Sequence, residues 1–467
     1  MNIRTPELAI PDDDPFLKDA LDRRELEPPL SQFVRSVDGP MVLAIDGGWG
    51  IGKTTFLRMW MRKLQTAGHA CLYLNAWQSD FSEDPLAALI GELSELVSTF
   101  KTSGERQTAL QERLETVKKV GGKIIKKALP ALVRMGTAGL LNVGDLVEKE
   151  GPDLAAAIVE DQIDEYEKKK EQIGAFRKSL VDFISEFRNT ADSSQAGTKV
   201  ILIVDELDRC RPTYAVELLE RVKHLFDVPG MIFVLGVDRG QLCHSVRGFY
   251  GAGFDAVGYL RRFVDFDYRL PEPEGGKYCK SLFGTFGLND LRSKWPARDR
   301  DLDASGMCDF LSTLFDAAKL GLRTQQQIVA RLWVVMQTIP KDEALFTHSL
   351  LLLVFLREWR QDFYDALASG RVSVDEVIIA LNLAPQNVEI SSRRQHDFIK
   401  GSLFTAIAEL GLQDPHVELK AHSEEQKSEI LGIANWLMSD LQSVKTAGFK
   451  INLERIAMTQ PFELRDD

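Results

Sequence analysis

The chain has 467 residues, of which 44% are hydrophobic and 27% are charged. This length and composition predict several folded domains with sizeable cores and exclude a generically disordered chain. Lysine and arginine total 57 against 69 aspartate and glutamate residues, and the net charge of −12 argues against a protein that coats nucleic acid. A local basic patch is still compatible with this balance.

The cysteines and the N-terminal residues indicate the cellular compartment. The five cysteines are odd in number and lack close paired spacing, which argues against a disulfide framework and against a zinc module. Residues 1–15 carry four acidic side chains and no apolar run, so we expect no secretory signal. These features predict a cytoplasmic protein.

After a polar, proline-rich N-terminal segment over 1–40, apolar runs of strand length alternate with helical patterns. The runs are 41–45, 71–74, 200–204 and 231–237. Continuous apolar runs of this length are typical of buried parallel strands. The fold class that we predict is therefore α/β, with a parallel-sheet core over 41–271 that helices cover on both faces.

Two long regions have helical periodicity and no convincing strand. The first, over 86–190, predicts a helical insertion within the core. The second, over 272–467, predicts a helical lid and an all-helical C-terminal domain, in which the apolar run 350–356 is a buried helix.

The segment 128–147 is apolar on balance and raises the question of a membrane span. Arg134 and Asp145 interrupt it with ten uncharged residues between them, whereas a span needs about 20 apolar residues. We expect no span. The basic residues Lys118, Lys119, Lys123, Lys126, Lys127 and Arg134 leave open a peripheral contact with an anionic membrane or with nucleic acid, or a solvated helix face.

A glycine-rich loop lies between the first strand and the next helix. The sequence 47–54 satisfies the pattern G-x-x-x-x-G-K-[ST], in the strand–loop–helix context that identifies a P-loop. Backbone N–H groups of such a loop surround phosphates, the lysine supplies a charge and the threonine hydroxyl serves Mg²⁺. The predicted nucleotide-binding residues are Gly47, Gly48, Trp49, Gly50, Ile51, Gly52, Lys53, Thr54 and Thr55.

Two carboxylates end the strand over 200–204, as the Walker B strand of a nucleotide hydrolase does. The carboxyl ends of parallel strands meet at one edge of the sheet, so Asp205 and Glu206 are expected near the P-loop. We predict that Asp205 and Thr54 serve Mg²⁺ and that Glu206 polarises a water molecule, with Lys53 as a second catalytic group. An acidic cap of the following helix is the alternative for this pair.

Several further motifs give the sequence a specific resemblance. They are the Trp49 within the P-loop, Asn75-Ala76-Trp77 after the second strand, Leu207-Asp208-Arg209-Cys210 after the acidic pair, Gly236-Val237-Asp238, and Tyr259 to Phe263 leading to Leu270-Pro271. In this order they resemble the KAP family of P-loop NTPases over residues 41–271, and more weakly over 323–332. Glu206 stands where the family commonly has aspartate, and the charged insertion differs from the transmembrane helices of many members.

The resemblance implies ATP and Mg²⁺ as cofactors and a role in antiphage defence. The charges of Arg261 and Arg262 make them candidates for an arginine finger, acting in cis or in trans, and the alternative is a basic helix face on the sheet. Arg323 resembles a sensor arginine. Trp77 is interpreted as core or domain-junction packing, and Asn75 as packing or as a group that places water or the γ-phosphate. Asp208 and Arg209 are either a surface ion pair or part of a subunit contact.

Three functions follow as alternatives. The first is a Mg²⁺-dependent ATPase that switches conformation or assembly, as a homo-oligomer or with a separate effector. The second is a nucleotide-gated scaffold that recruits an effector, and the third is an ATPase associated with DNA or a membrane. The absence of an Asn-Lys-x-Asp guanine-reading motif disfavours GTP.

Overall fold

The computed structural model describes most of the chain, with gaps. The described residues are 9–37, 39–81, 84–99, 104–125, 152–190, 199–223, 227–273, 275–295, 302–343, 345–369, 371, 374–381, 393–409, 423–444 and 448–458. They form two compact units, the first of which ends at Pro271 and the second of which begins at Glu272.

A parallel sheet forms the centre of the first unit. Its strands in the described residues are β1 (Met41–Asp46), β2 (Ala70–Asn75), β3 (Val200–Asp205), β4 (Met231–Val237) and β5 (Phe266–Arg269). Their order across the sheet is β2-β3-β4-β1-β5. Asn75 stands opposite Asp205, and Asp46 stands opposite Val237. The register therefore brings the carboxyl ends of the four long strands to one edge.

The side chains of the long strands explain why they form the sheet. β3 and β4 are buried at every position, as continuous apolar runs require of central strands. The four strands that the apolar runs predict are confirmed. β5 was not predicted, because its sequence Phe-Asp-Tyr-Arg is polar and mostly exposed, and it pairs only with β1 in the described residues.

Helices cover both faces of this sheet. In the described residues of the first unit they are α1 (Glu27–Ser36), α2 (Lys53–Thr66), α3 (Ala76–Ser79), α4 (Pro85–Thr99), α5 (Gly104–Ile125), α6 (Pro152–Thr190), α7 (Pro212–Lys223), α8 (Arg239–Tyr250) and α9 (Ala256–Leu260). Helices α1 and α2 pack on one face, and α4 to α8 pack on the other. The predicted helical insertion corresponds to α4, α5 and α6.

The second unit is helical throughout its described residues. Its helices are α10 (Gly275–Thr285), α11 (Leu288–Arg292), α12 (Ala304–Ala317), α13 (Leu322–Thr338), α14 (Thr347–Trp359), α15 (Gln361–Ala368), α16 (Val374–Ala380), α17 (Arg393–Glu409), α18 (Glu424–Val444) and α19 (Gly448–Met458). The apolar run 350–356 lies in α14 and is fully buried in the core of this unit. The predicted buried helix is confirmed.

Within the described residues, no helix has both the length and the apolar character that a bilayer span demands. The segment 128–147 lies outside the described residues. Of the basic residues named with it, Lys118, Lys119 and Lys123 lie on α5, and the others lie outside the described residues.

Candidate nucleotide-binding site

The glycine-rich loop joins the end of β1 to the first turn of α2. The Gly47 N–H donates to the Val237 carbonyl at 3.1 Å, which ties the start of the loop to the end of β4. Gly52 precedes α2 with a φ of 85°, a left-handed conformation that glycine adopts without steric cost. The loop therefore ends at a helix N-terminus, where free N–H groups and the helix dipole favour an anion.

The Lys53 ammonium lies inside this loop. Its Nζ donates to the carbonyls of Gly47 and Gly48, at 2.5 Å and 3.0 Å. Burial lowers the pKa of Lys53, and the nearby carboxylates of Asp208, Asp238 and Asp205 oppose that shift. The positive charge is thus held among P-loop carbonyls and acidic side chains.

Asp205, at the end of β3, is 1% exposed and meets two hydroxyl groups. The Tyr73 hydroxyl donates to Asp205 Oδ2 at 2.7 Å, and the Thr54 hydroxyl is also hydrogen-bonded to this carboxylate. Burial raises the pKa of Asp205, and the two hydroxyls oppose that shift. A Cβ on Gly236 would lie 2.7 Å from Asp205 Oδ1, so the neighbouring strand needs glycine there to make room.

Glu206 occupies a backbone conformation that is rare for its residue type. Its φ is 61° and its ψ is 26°, in the left-handed region. The Asn75 Nδ2 donates to Glu206 Oε2 at 2.8 Å, and Arg209 forms an ion pair with Oε1 at 2.9 Å. Both carboxylate oxygens are therefore engaged at the edge of the sheet where Asp205 lies.

Two tryptophans connect the acidic motif to the surface. Trp49, in the P-loop, donates its indole N–H to Asp208 Oδ2, and the Trp77 ring lies 5.7 Å from the Arg209 guanidinium. Trp49 is 51% exposed and Trp77 is 48% exposed. The interpretation of Trp77 as core packing is wrong, because about half of its surface faces solvent, and packing at a domain junction stays a prediction.

Asp208 and Arg209 each contact other side chains. The predicted surface ion pair between them is not what the geometry favours, because Arg209 pairs with Glu206 and Asp208 accepts from Trp49. Cys210 is buried, and burial raises the pKa of its thiol, as expected of a small apolar side chain.

A cavity of about 300 Å³ opens beside these groups. It is lined by Ile10, Thr54, Thr55, Arg58, Asn75, Gln78 and Glu206. The structure therefore places side chains from the P-loop helix, from the end of β2 and from the acidic pair around one space.

Sequence reasoning missed Tyr73 and Arg58 as members of this site. Arg58 lies one turn after Thr54 on α2, and its guanidinium is 5.1 Å from the Tyr73 ring. Tyr73 and Asn75 alternate along β2, so both point to the same face of the sheet. That alternation is the signal that was available for Tyr73.

Arg261 and Arg262 lie near the amino ends of the strands, whereas the P-loop and the acidic pair lie at the carboxyl ends. Helix α8 runs back along the sheet, and α9 and the turn that carries both arginines then lead into the start of β5. The Asp265 N–H donates to the Val42 carbonyl, which holds this turn beside the start of β1. A strand of six residues, at about 3.3 Å per residue, puts about 20 Å between its amino end and its carboxyl end. This placement argues against a cis arginine finger, and the trans alternative stays a prediction.

Arg323 lies in the second compact unit, in the first turn of α13, where it is exposed. Its resemblance to a sensor arginine stays a prediction.

A glycine-rich loop joins the interior strand β1 to a helix, and an acidic pair ends β3, which β4 separates from β1. This arrangement defines a P-loop NTPase. The sequence profile of the KAP family P-loop domain matches residues 30–335. The chain belongs to the KAP family.

Among curated proteins, the chain is similar to the phage T7 exclusion protein of Escherichia coli strain K12. The two are 25% identical over 343 residues, which cover 69% of this chain and 42% of the relative. The chain thus spans less than half the length of this relative.

Two solved structures are similar at low scores. The structure of the ORC2 protein of Aeropyrum pernix, in ADPNP–ADP complexes, matches with a TM-score of 0.35 at 16% identity. The match covers 93% of this chain and 96% of the ORC2 chain. The structure of the ORC1 protein of Aeropyrum pernix, in complex with DNA, matches with a TM-score of 0.29 at 14% identity. The match covers 93% of this chain and 97% of the ORC1 chain.

Proposed function

We propose that the chain binds Mg²⁺–ATP at the glycine-rich loop and hydrolyses it, with Glu206 as the residue that polarises water. The observation that carries this proposal is the position of the Glu206 carboxylate, which lines the same cavity as Thr54 and Thr55 of the P-loop helix. A pure binding module has no need of a second carboxylate at that position.

The oxygen donors beside the P-loop fit Mg²⁺. Thr54 and Asp205 are hydrogen-bonded to each other, and Asp208 Oδ1 is buried without a hydrogen-bond partner in the described residues. Mg²⁺ prefers oxygen ligands and is commonly bound through one or two carboxylates together with phosphates. Thr54 and Asp205 would hold the ion, which when bound neutralises charge on the phosphate oxygens.

Different side chains bind the phosphates and activate the water molecule. The Lys53 ammonium exchanges the carbonyls of Gly47 and Gly48 for phosphate oxygens when nucleotide binds. Glu206 orients the attacking water and withdraws its proton, while the amide of Asn75 fixes the direction of the carboxylate. Arg209 holds positive charge at the other carboxylate oxygen.

The first test replaces the lysine of the loop. Lys53→Ala removes the charge that meets the phosphates, so we expect the affinity for ATP, measured by isothermal titration calorimetry, to fall at least about tenfold. Lys63→Ala, on an exposed position of the same helix, is the matched control and should bind like the wild type. Equal affinities of both variants would contradict the assignment of the loop.

We further propose that the hydrolysis cycle serves defence against phage. The support is the similarity to a protein named for the exclusion of phage T7. Expression of the wild type in a sensitive host should lower the plating efficiency of T7, and Glu206→Gln at equal protein level should not. Equal protection by both proteins would favour the nucleotide-gated scaffold instead.

The cellular setting that we propose is cytoplasmic, with a separate effector protein or further copies of the chain as partners. Peripheral contact with a membrane or with DNA through the basic residues of α5 stays a prediction. Sedimentation with anionic vesicles or with duplex DNA tests it directly.

A further inference from the structure

Among the described residues, the outer edge of β2 has no partner strand and faces a groove between two helices. β2 is the first strand in the order of the sheet, and among the described residues it pairs only with β3. A cavity of about 730 Å³ is lined by residues 68–73 of this edge. One wall comes from α2, on one face of the sheet, and the other wall comes from α4, on the opposite face.

The walls combine apolar and acidic side chains. Met61 contributes from α2, and Leu96 contributes from α4, both of them half-buried. Glu92 and Glu95, one turn apart on α4, also line the groove. Burial and the charge of Glu95 raise the pKa of Glu92 to about 7. A groove of mixed apolar and polar lining, with two carboxylates on one wall, therefore runs beside the edge of β2 that no described strand pairs with.

The two glutamates of this groove have no ion-pair partner among the described residues. Neither Glu92 nor Glu95 forms an ion pair with a described residue. Arg62, on the opposite wall, is engaged by the Asp12 carboxylate and by the Gln65 side chain. The pKa of His69 is lowered by burial and by Arg35 and Lys199, so its imidazole is neutral at pH 7.

We propose that this groove binds an extended basic peptide segment of a partner protein, which adds to β2 as a sixth strand and sets lysine or arginine side chains against Glu92 and Glu95. An edge strand presents unpaired backbone N–H and C=O groups that an extended chain can pair with. Strand addition takes its affinity from these backbone bonds and its specificity from the side-chain sites.

The spacing of the two carboxylates matches such a ligand. Residues three apart on a helix have Cβ atoms about 5–6 Å apart. Every second residue of a strand points to the same side, at a repeat of about 7 Å. Two alternate basic residues of one added strand thus reach both carboxylates. None of the P-loop residues 47–54 lines the groove, so this inference does not depend on nucleotide turnover.

The test measures binding of a fluorescein-labelled peptide of alternating valine and lysine to the full chain, by fluorescence anisotropy without nucleotide. The double variant Glu92→Gln, Glu95→Gln should bind it at least about tenfold more weakly, the loss expected when charge-assisted bonds are removed. The control is Glu112→Gln, Glu115→Gln, a pair of the same spacing on the exposed surface of α5, which should bind like the wild type. Matching circular dichroism spectra establish that both variants are folded.

A second peptide separates strand addition from plain charge attraction. It carries the same lysines but has N-methyl groups on alternate backbone nitrogens, so it cannot pair with a strand. We expect it to bind at least about tenfold more weakly, because the backbone bonds are lost. Equal binding of both peptides, or an unchanged affinity of the Glu92→Gln, Glu95→Gln variant, would overturn the proposal. So would a dimer in sedimentation equilibrium that excludes the peptide, since the occupant would then be a second copy.

Discussion

At the scale of single residues, the site depends on how Glu206 is held. A non-glycine residue in the left-handed region costs on the order of 1–3 kcal/mol, and in this structure the strain coincides with a residue whose two carboxylate oxygens both have partners. Such strain persists where the surroundings fix the conformation. The backbone of Glu206 and the amide of Asn75 therefore act together to aim the carboxylate.

Removal of the Asn75 amide tests this positioning role. Asn75→Ala leaves Glu206 without its Nδ2 donor, so we expect kcat for ATP to fall on the order of tenfold, because hydrogen bonds to charged groups contribute about 1.5–3 kcal/mol. The ATP affinity should stay close to that of the wild type, since Asn75 is not part of the P-loop. Steady-state phosphate release and calorimetry give the two quantities separately.

Gln78→Ala is the matched control for this substitution. Gln78 lines the same cavity, and the side chain of Asn75, not its own, forms the bond to Glu206. Because Asn75 also caps α3 by accepting from the Gln78 N–H, the melting temperature of both variants is measured as well. A kcat for Asn75→Ala that equals the kcat for Gln78→Ala would contradict the positioning role.

The sequence predicted some of these residues and not others. The sequence alone identifies Lys53, Thr54, Asp205 and Glu206, because each lies at a fixed distance along the chain from an apolar strand. The contact of Tyr73 with Asp205 depends on which strands are neighbours, and the local sequence of β2 does not contain that information.

At the scale of elements, the burial of the strands separates the four that were predicted from the one that was missed. β1 to β4 are apolar runs because central and well-covered strands bury both faces. β5 is an edge strand with polar side chains, so its pattern resembles a loop. Because β5 was missed, the sequence interpretation did not place the turn of Arg261 and Arg262 before this strand, at the amino ends of the sheet and away from the P-loop.

Helix α4 carries a pH-dependent contribution to stability through Glu92. Burial, and then the charge of Glu95, raise the pKa of Glu92 from 4.5 to about 7 in the folded state. Between these two values the unfolded chain loses the proton that the folded chain retains, so the wild type loses stability as the pH rises through this window. Arg62 on α2, Tyr73 on β2 and His69 just before β2 also face the groove.

Glu92→Gln should therefore raise the melting temperature more at about pH 8 than at about pH 5, because the variant has no charge to bury. Differential scanning calorimetry at both pH values measures the difference. Glu112→Gln, at an exposed position of α5, should change the melting temperature equally at both. A pH-independent effect of Glu92→Gln would show that its carboxyl group titrates normally.

At the scale of the whole molecule, the described residues divide into an α/β unit that contains the P-loop and a helical unit from Glu272 onward. The sequence predicted the class of each unit, because apolar runs and helical periodicity are local properties. It did not predict the side-chain network of the site or the groove along β2, because both arise from contacts between distant segments. The matched region spans 42% of the length of the T7 exclusion protein.

The most direct measurement of the central proposal compares ATP hydrolysis and ATP binding in the wild type and in Glu206→Gln. The variant keeps the shape of the side chain and the loop that contacts the phosphates, but it removes the group that accepts a proton from water. We predict Mg²⁺–ATP affinity within about twofold of the wild type and a turnover lower on the order of 10²-fold or more, the usual scale for a lost general base. Equal turnover in both proteins, or loss of binding and turnover together, would contradict the account.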